Sequence, residues 1–126
     1  MQQHLFEYAV IRLVPRVERE EFLNIGVILY CSKEKFLSIK FILDEDRILS
    51  FSTAVDIKEL REHLCAIERI CTGNLNSGPI SKLDIASRFR WLTATRSTVV
   101  QTSKVHPGFC SSANETLLHL FNTLVY

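Results

Sequence analysis

Leu5-Phe-Glu-Tyr-Ala-Val-Ile-Arg-Leu-Val14, closed by Pro15, and Phe22-Leu-Asn-Ile-Gly-Val-Ile-Leu-Tyr-Cys31 are the two stretches on which the fold turns. Both are rich in β-branched and aromatic residues, and in each the two alternating faces are largely apolar. In the first, Leu5, Ala9, Ile11 and Leu13 oppose Phe6, Tyr8, Val10 and Val14; in the second, Leu23, Ile25, Val27 and Leu29 oppose Phe22, Ile28 and Tyr30. A strand that is apolar on both faces must be covered on both, so the two read as inner strands of a sheet. Ser32-Lys33-Glu34-Lys35 then forms a polar connection to residues 36–43, where Leu37, Ile39, Phe41 and Leu43 alternate with Ser38 and Lys40. So short a link allows only an antiparallel hairpin, and the third strand is expected to show Lys40 to water.

Beyond these strands the period changes from two to about 3.6. Ile57, Leu60, Leu64, Ile67 and Cys71 recur at spacings of three and four, the stripe of an amphipathic helix. Asp56 followed by Glu59 gives a capping box at its start, and Gly73 a stop. Residues 72–79 read as a loop. Ser81-Lys-Leu-Asp84 is a second capping signature opening a shorter helix, whose end is ambiguous because Arg88-Phe-Arg-Trp-Leu92 alternates like a strand. Residues 97–102 are the expected fourth strand. Ser112 and Glu115 cap a last helix with Leu117, Leu118, Phe121, Leu124 and Val125 inward. The expected fold is therefore α+β: an antiparallel sheet of about four strands with three helices packed on it, in a single domain over residues 1–126.

The 126 residues are 47% hydrophobic and 23% charged, enough for a core without disulfides or a metal staple. Cys31, Cys65, Cys71 and Cys110 form no C-x-x-C pair and read as reduced thiols. No apolar run approaches the ~20 residues that span a bilayer, and Met1-Gln-Gln-His4 is no secretory leader, so the expected place is the cytoplasm with no membrane contact. Net charge is +1, distributed as +1 over residues 1–43, −3 over 44–71 and +3 over 72–126. No segment carries the dense Lys/Arg footprint of a nucleic-acid binder.

Two constellations could hold a ligand. Arg12 interrupts an apolar strand, and Asn24 and Gly26 lie within a run that should be buried. An unpaired buried amide costs on the order of 1 to 3 kcal/mol, so Asn24 needs partners; Gly26 suggests a bulge or another backbone pressed close. Asn24 bonding across a bulge and Arg12 pairing with Glu20 or Glu21 would explain both without a ligand. The second group is Arg88, Arg90, Arg96, Gln101, Ser103 and His106. Arginine forks suit phosphate or carboxylate, and His106 could move a proton near neutral pH. A histidine before Pro107-Gly108 is also an ordinary turn residue. His106 and Cys110 alone are too few for zinc, no cofactor motif is present, and no catalytic set is complete. Phe89 and Trp91 between arginines resemble a stacking surface for single strands, but at least one ring is expected in the core, because a lone tryptophan in a small domain usually buries most of its area.

The stretch Tyr8-Ala-Val-Ile-Arg12-Leu-Val-Pro15, then Arg19-Glu-Glu-Phe22-Leu-Asn24-Ile-Gly26-Val-Ile-Leu29, resembles the opening of a bacterial domain-of-unknown-function family, number 3037 of that series. Arg88-Phe-Arg-Trp91-Leu-Thr-Ala, Arg96-Ser-Thr-Val-Val-Gln101 and Val105-His-Pro-Gly108 match its second half, whereas Thr95 and Lys104 stand where the family often has proline. The resemblance implies no activity, since the family has none established. It implies a partner from a neighbouring gene, such as a kinase of the bacterial persistence-toxin type.

Two functions are therefore expected. The first is a protein-binding accessory or regulatory module. The alternative is binding or processing of a phosphate-bearing ligand, a nucleotide or nucleic-acid end, through Arg12, Asn24, Arg90, Arg96, Gln101 and His106. That alternative requires Arg12, Arg90, Arg96 and His106 to meet in one pocket.

Overall fold

The computed structural model describes residues 3–73, 78–94, 96 and 98–126. Its centre is the strand formed by the first quoted stretch, β1 (His4–Leu13), paired antiparallel with β2 (Leu23–Cys31), which pairs in turn with β3 (Phe36–Phe41). The other edge of β1 is covered by two short strands in succession: β4 (Val100–Thr102) against Ile11 to Leu13, and β5 (His106–Cys110) against His4 to Tyr8. Between them Ser103 keeps the edge continuous. Its N–H donates to the Val10 carbonyl, and its hydroxyl accepts from the Val10 N–H at 2.8 Å. All pairings are antiparallel, so the α+β expectation holds, with five strands instead of four.

Helices cover both faces. On one side α1 (Glu45–Phe51), α2 (Ile57–Thr72) and α3 (Ile85–Leu92) pack Ile48, Leu60, Leu64, Phe89 and Leu92 over Ala9, Ile11, Ile28 and Ile39. On the other, α4 (Ala113–Leu124) lays Leu117 and Phe121, followed by Val125, over Phe6, Val27, Leu29 and Cys31. Four α-helices are described, not three. The additional one is α1, whose N-terminus is made by Asp44 accepting from the Arg47 N–H and which buries only Ile48. A seven-residue helix with one buried side chain leaves no periodic stripe to read.

Several local expectations are met and several are corrected. Asp56 caps α2 and Gly73 ends it in the left-handed region. Lys40 is exposed, its ammonium over the Phe121 ring. The second capping signature belongs to Asp84, which accepts from the Ser87 N–H at 2.7 Å; Ser81 lies in a preceding 3-10 turn, Pro79–Lys82. Residues 88–92 are helix, not strand: Ile85, Phe89 and Leu92 are at helical spacing, and Phe89 is fully buried. One of the two rings is core, as expected, but it is Phe89; Trp91 is 42% exposed. Leu118 also faces solvent. His106 opens a strand instead of a turn. The expected loop at 74–77, Thr95 and Ser97 lie outside the described residues.

Gly26 is explained by space. β2 carries one extra residue against β1, so that Ile11 faces Gly26 while Arg12 faces Asn24. A Cβ at Gly26 would lie 2.8 Å from the Lys40 carbonyl and 2.9 Å from the Phe41 Cβ. Both the bulge and the close backbone suggested by the sequence are present. Among the described residues no helix is long and apolar enough to cross a membrane.

Candidate functional site

Arg12, Asn24 and Gln101 share one row across the sheet: Arg12 faces Asn24 on β2 and Gln101 on β4. The Asn24 amide donates to the Leu124 carbonyl at the end of α4, 3.2 Å away. The Arg12 guanidinium lies 4.0 Å above the Phe22 ring centroid, a cation–π contact, and Arg19 takes Glu21. Neither Glu20 nor Glu21 pairs with Arg12, contrary to the ligand-free expectation. The Arg12 Nε and Asn24 Oδ1 are buried without a partner. The Gln101 amide donates to the Thr98 carbonyl.

His106 faces Tyr8 across the β1–β5 pair, the ring centroids 5.3 Å apart. Tyr8 and Arg12 are four residues apart on one strand, roughly 13 Å at about 3.3 Å per residue, so His106 and Arg12 lie far apart on the same face. Arg90 and Arg96 belong to the opposite layer. Arg90 grips Glu7 with contacts of 2.7 and 3.0 Å to the two carboxylate oxygens. Arg96 donates to the Trp91 and Leu92 carbonyls at the end of α3 and stacks 4.4 Å from the Trp91 ring centroid. Arg12, Asn24 and Gln101 are therefore brought together in one row, and Gln101 also shares a cleft with Arg96, but the single clamp of Arg12, Arg90, Arg96 and His106 that a phosphate-processing site requires is not formed.

The sequence reading missed what occupies these side chains. Helix C-termini expose unpaired carbonyls and a partial negative charge, and here long polar side chains from other elements meet them. Arg88 reaches from α3 to the Ile70 and Cys71 carbonyls of α2, at 2.8 and 3.0 Å. Arg96 serves α3, and Asn24 and Arg47 serve the end of α4, Arg47 at 2.8 Å from the Val125 carbonyl. Only sequence distance hides this, because donor and acceptor are up to 100 residues apart.

A cleft of about 180 Å³ lies between α2, the end of α3 and β4, lined among others by Ile11, His63, Trp91, Arg96 and Val100. Partial desolvation, then the Arg96 guanidinium, pushes the His63 pKa below its ordinary value, against the opposing effect of Glu59. A different surface is more exposed. Leu5 and Phe109 face one another across β1 and β5 and are 52% and 67% exposed. On the same face, two residues along, Glu7 lies opposite Pro107 and holds Arg90, and Trp91 follows Arg90 on α3.

An antiparallel α+β domain with an exposed Leu5–Phe109 pair at one end of the sheet, and with no converged catalytic set among the described residues, is thus the class defined by fold and surface. Residues 8–125 match the family described as "Protein of unknown function (DUF3037)", and the chain belongs to that family. No curated protein and no solved structure matches.

Proposed function

We propose that this protein is a cytoplasmic bacterial protein-binding module that docks a partner through the exposed end of β1 and β5. The reading is carried by one observation: Phe109 and Leu5, paired across the sheet, leave most of their apolar surface in water. Covering about 100 Å² of such surface is worth roughly 2.5 kcal/mol at about 25 cal/mol per Å². The neighbouring Glu7–Arg90 pair adds an exposed arginine, a residue type that concentrates binding energy in protein interfaces. Docking would proceed through side chains. The adjoining edge is a poor template for strand addition, because Pro107 has no N–H and Lys104 and Val105 separate β4 from β5.

The occupant is the apolar face of a second protein, and the product of a neighbouring gene, a persistence-type kinase included, is the first partner to try. Tagged protein expressed in its host is expected to recover one stoichiometric partner, with Phe109→Glu abolishing recovery while leaving the melting temperature unchanged. Recovery of the chain alone at low salt, or undiminished capture by Phe109→Glu, overturns the reading. A concentration-dependent dimer lost in the same variant would put a second copy of the chain on this surface and would also overturn it.

A further inference from the structure

At the end of the sheet nearest the start of α4, three side chains converge on one oxygen of a fourth, Glu34. The Glu34 Oε2 lies 3.3 Å from the His4 Nδ1, 3.8 Å from the Cys31 Sγ and 3.9 Å from the Cys110 Sγ. The topology brings them there. His4 and Cys110 are paired residues of β1 and β5, Cys31 ends β2, and Glu34 lies in the turn that follows. Both Glu34 oxygens also accept from the Ala113 N–H at the first residue of α4, at 3.2 and 3.0 Å.

We propose that His4, Cys31, Glu34 and Cys110 form a tetrahedral binding site for zinc. Zinc takes nitrogen and oxygen ligands at about 2.0–2.1 Å and thiolates at about 2.3 Å, which sets tetrahedral ligand atoms about 3.3–3.8 Å apart. The three spacings from Glu34 fall in or just beyond that range, and the donor atoms of His4, Cys31 and Glu34 all lie within 4.8 Å of one another; Cys110 lies outside that mutually close set and turns inward to supply the fourth ligand when the ion binds. The donor set is selective: two soft thiolates and an imidazole favour zinc over magnesium or calcium. Hydrogen bonding alone explains the cluster poorly. One carboxylate oxygen with about two lone pairs is approached by an imidazole nitrogen, two thiols and an N–H. A cation among the four side chains turns those crowded donors into ligands, with the two thiol protons released to solvent.

The surroundings support this assignment. The His4 and Glu34 side chains are 25% and 27% exposed, whereas Cys31 and Cys110 are buried, so an ion can enter past the first pair and settle on the second. Ala113 fixes the carboxylate as an outer hydrogen bond fixes a metal ligand. Four protein ligands leave no open position, so the ion is structural, tying β1, β5 and the β2–β3 turn together beside α4. His4 precedes residues 8–125, so the site is assigned to this chain and not to the family.

The protein, reduced and freed of metal, would be titrated with cobalt(II) and then zinc(II). One equivalent of cobalt is expected to give thiolate-to-cobalt charge-transfer absorption and the intense visible bands of a tetrahedral site. One equivalent of zinc should displace it and raise the melting temperature. His4→Ala, which removes a partly exposed ligand and leaves the core intact, and Cys110→Ser should each weaken zinc binding by at least the roughly 10- to 100-fold seen on losing a supporting partner at zinc sites. Cys65→Ser, on α2, should change nothing. Absence of the charge-transfer band in protein with native circular dichroism overturns the proposal. So does a band unaltered in both ligand variants, or a Cys31–Cys110 disulfide in protein prepared with zinc present.

Discussion

Arg12, Asn24 and Gly26 are polar or missing side chains in an apolar run; Gly26 and the Asn24 side-chain N–H are explained by what they face, whereas the Arg12 Nε and the Asn24 Oδ1 are buried without a partner. Gly26 faces the backbone of β3, so Gly26→Ala must push the strands apart or distort the bulge; overpacking of this kind costs about 1–3 kcal/mol, readable as a lowered urea midpoint. Asn24 holds the end of α4 through the Leu124 carbonyl. His63 gives a prediction of a different kind. The folded chain holds its proton more weakly than the unfolded chain does, because of partial desolvation and Arg96, against Glu59. Between the depressed value and the ordinary 6.5 the unfolded chain therefore binds more protons, and stability falls as pH is lowered through that window. His63→Gln should flatten this limb of a melting-temperature profile, by a small amount because the side chain is exposed. At this scale the sequence showed which residues were unusual. It could not show their partners, which lie on other elements.

Among the elements, the long ones were legible and the short ones were not. β1, β2 and α2 carry whole periods of buried side chains, and α4 announces itself through Ser112 and the Leu117 and Phe121 stripe. α1, β4 and β5 are too short to establish a period, and their place is set by pairing and packing. The start of α3 offers a sharp test, since two candidate caps are three residues apart. Asp84→Ala should cost about 1 kcal/mol in thermal or denaturant unfolding, the usual loss for an N-cap whose side chain accepts a hydrogen bond. Ser81→Ala should cost little or nothing, because the buried Ser81 hydroxyl has no partner to lose. Equal losses would return the cap to Ser81. The arginines teach a related lesson. Read along the chain, Arg88, Arg90 and Arg96 resemble a waiting anion site, yet helix-end carbonyls and Glu7 already occupy them.

As a whole the molecule is one sheet with a separate apolar core on each face, and α4 alone supplies the helical cover of the second. Phe121 is 2% exposed at its centre, so Phe121→Ala should cost about 3–5 kcal/mol, seen as a large fall in melting temperature. The His4, Cys31, Glu34 and Cys110 cluster was illegible in sequence, where the same thiols read as unpaired and His106 seemed the nearer ligand for Cys110. Strand pairing decides otherwise: it sets Cys110 beside His4 and His106 beside Tyr8. The interrupted outer strand has a consequence for behaviour in concentrated solution. With a proline and unpaired residues where a neighbouring molecule would need an unbroken ladder of amides, copies of this chain find no ready seam along this edge on which to zip into fibrils, and the other edge, β3, is the one left to resist it.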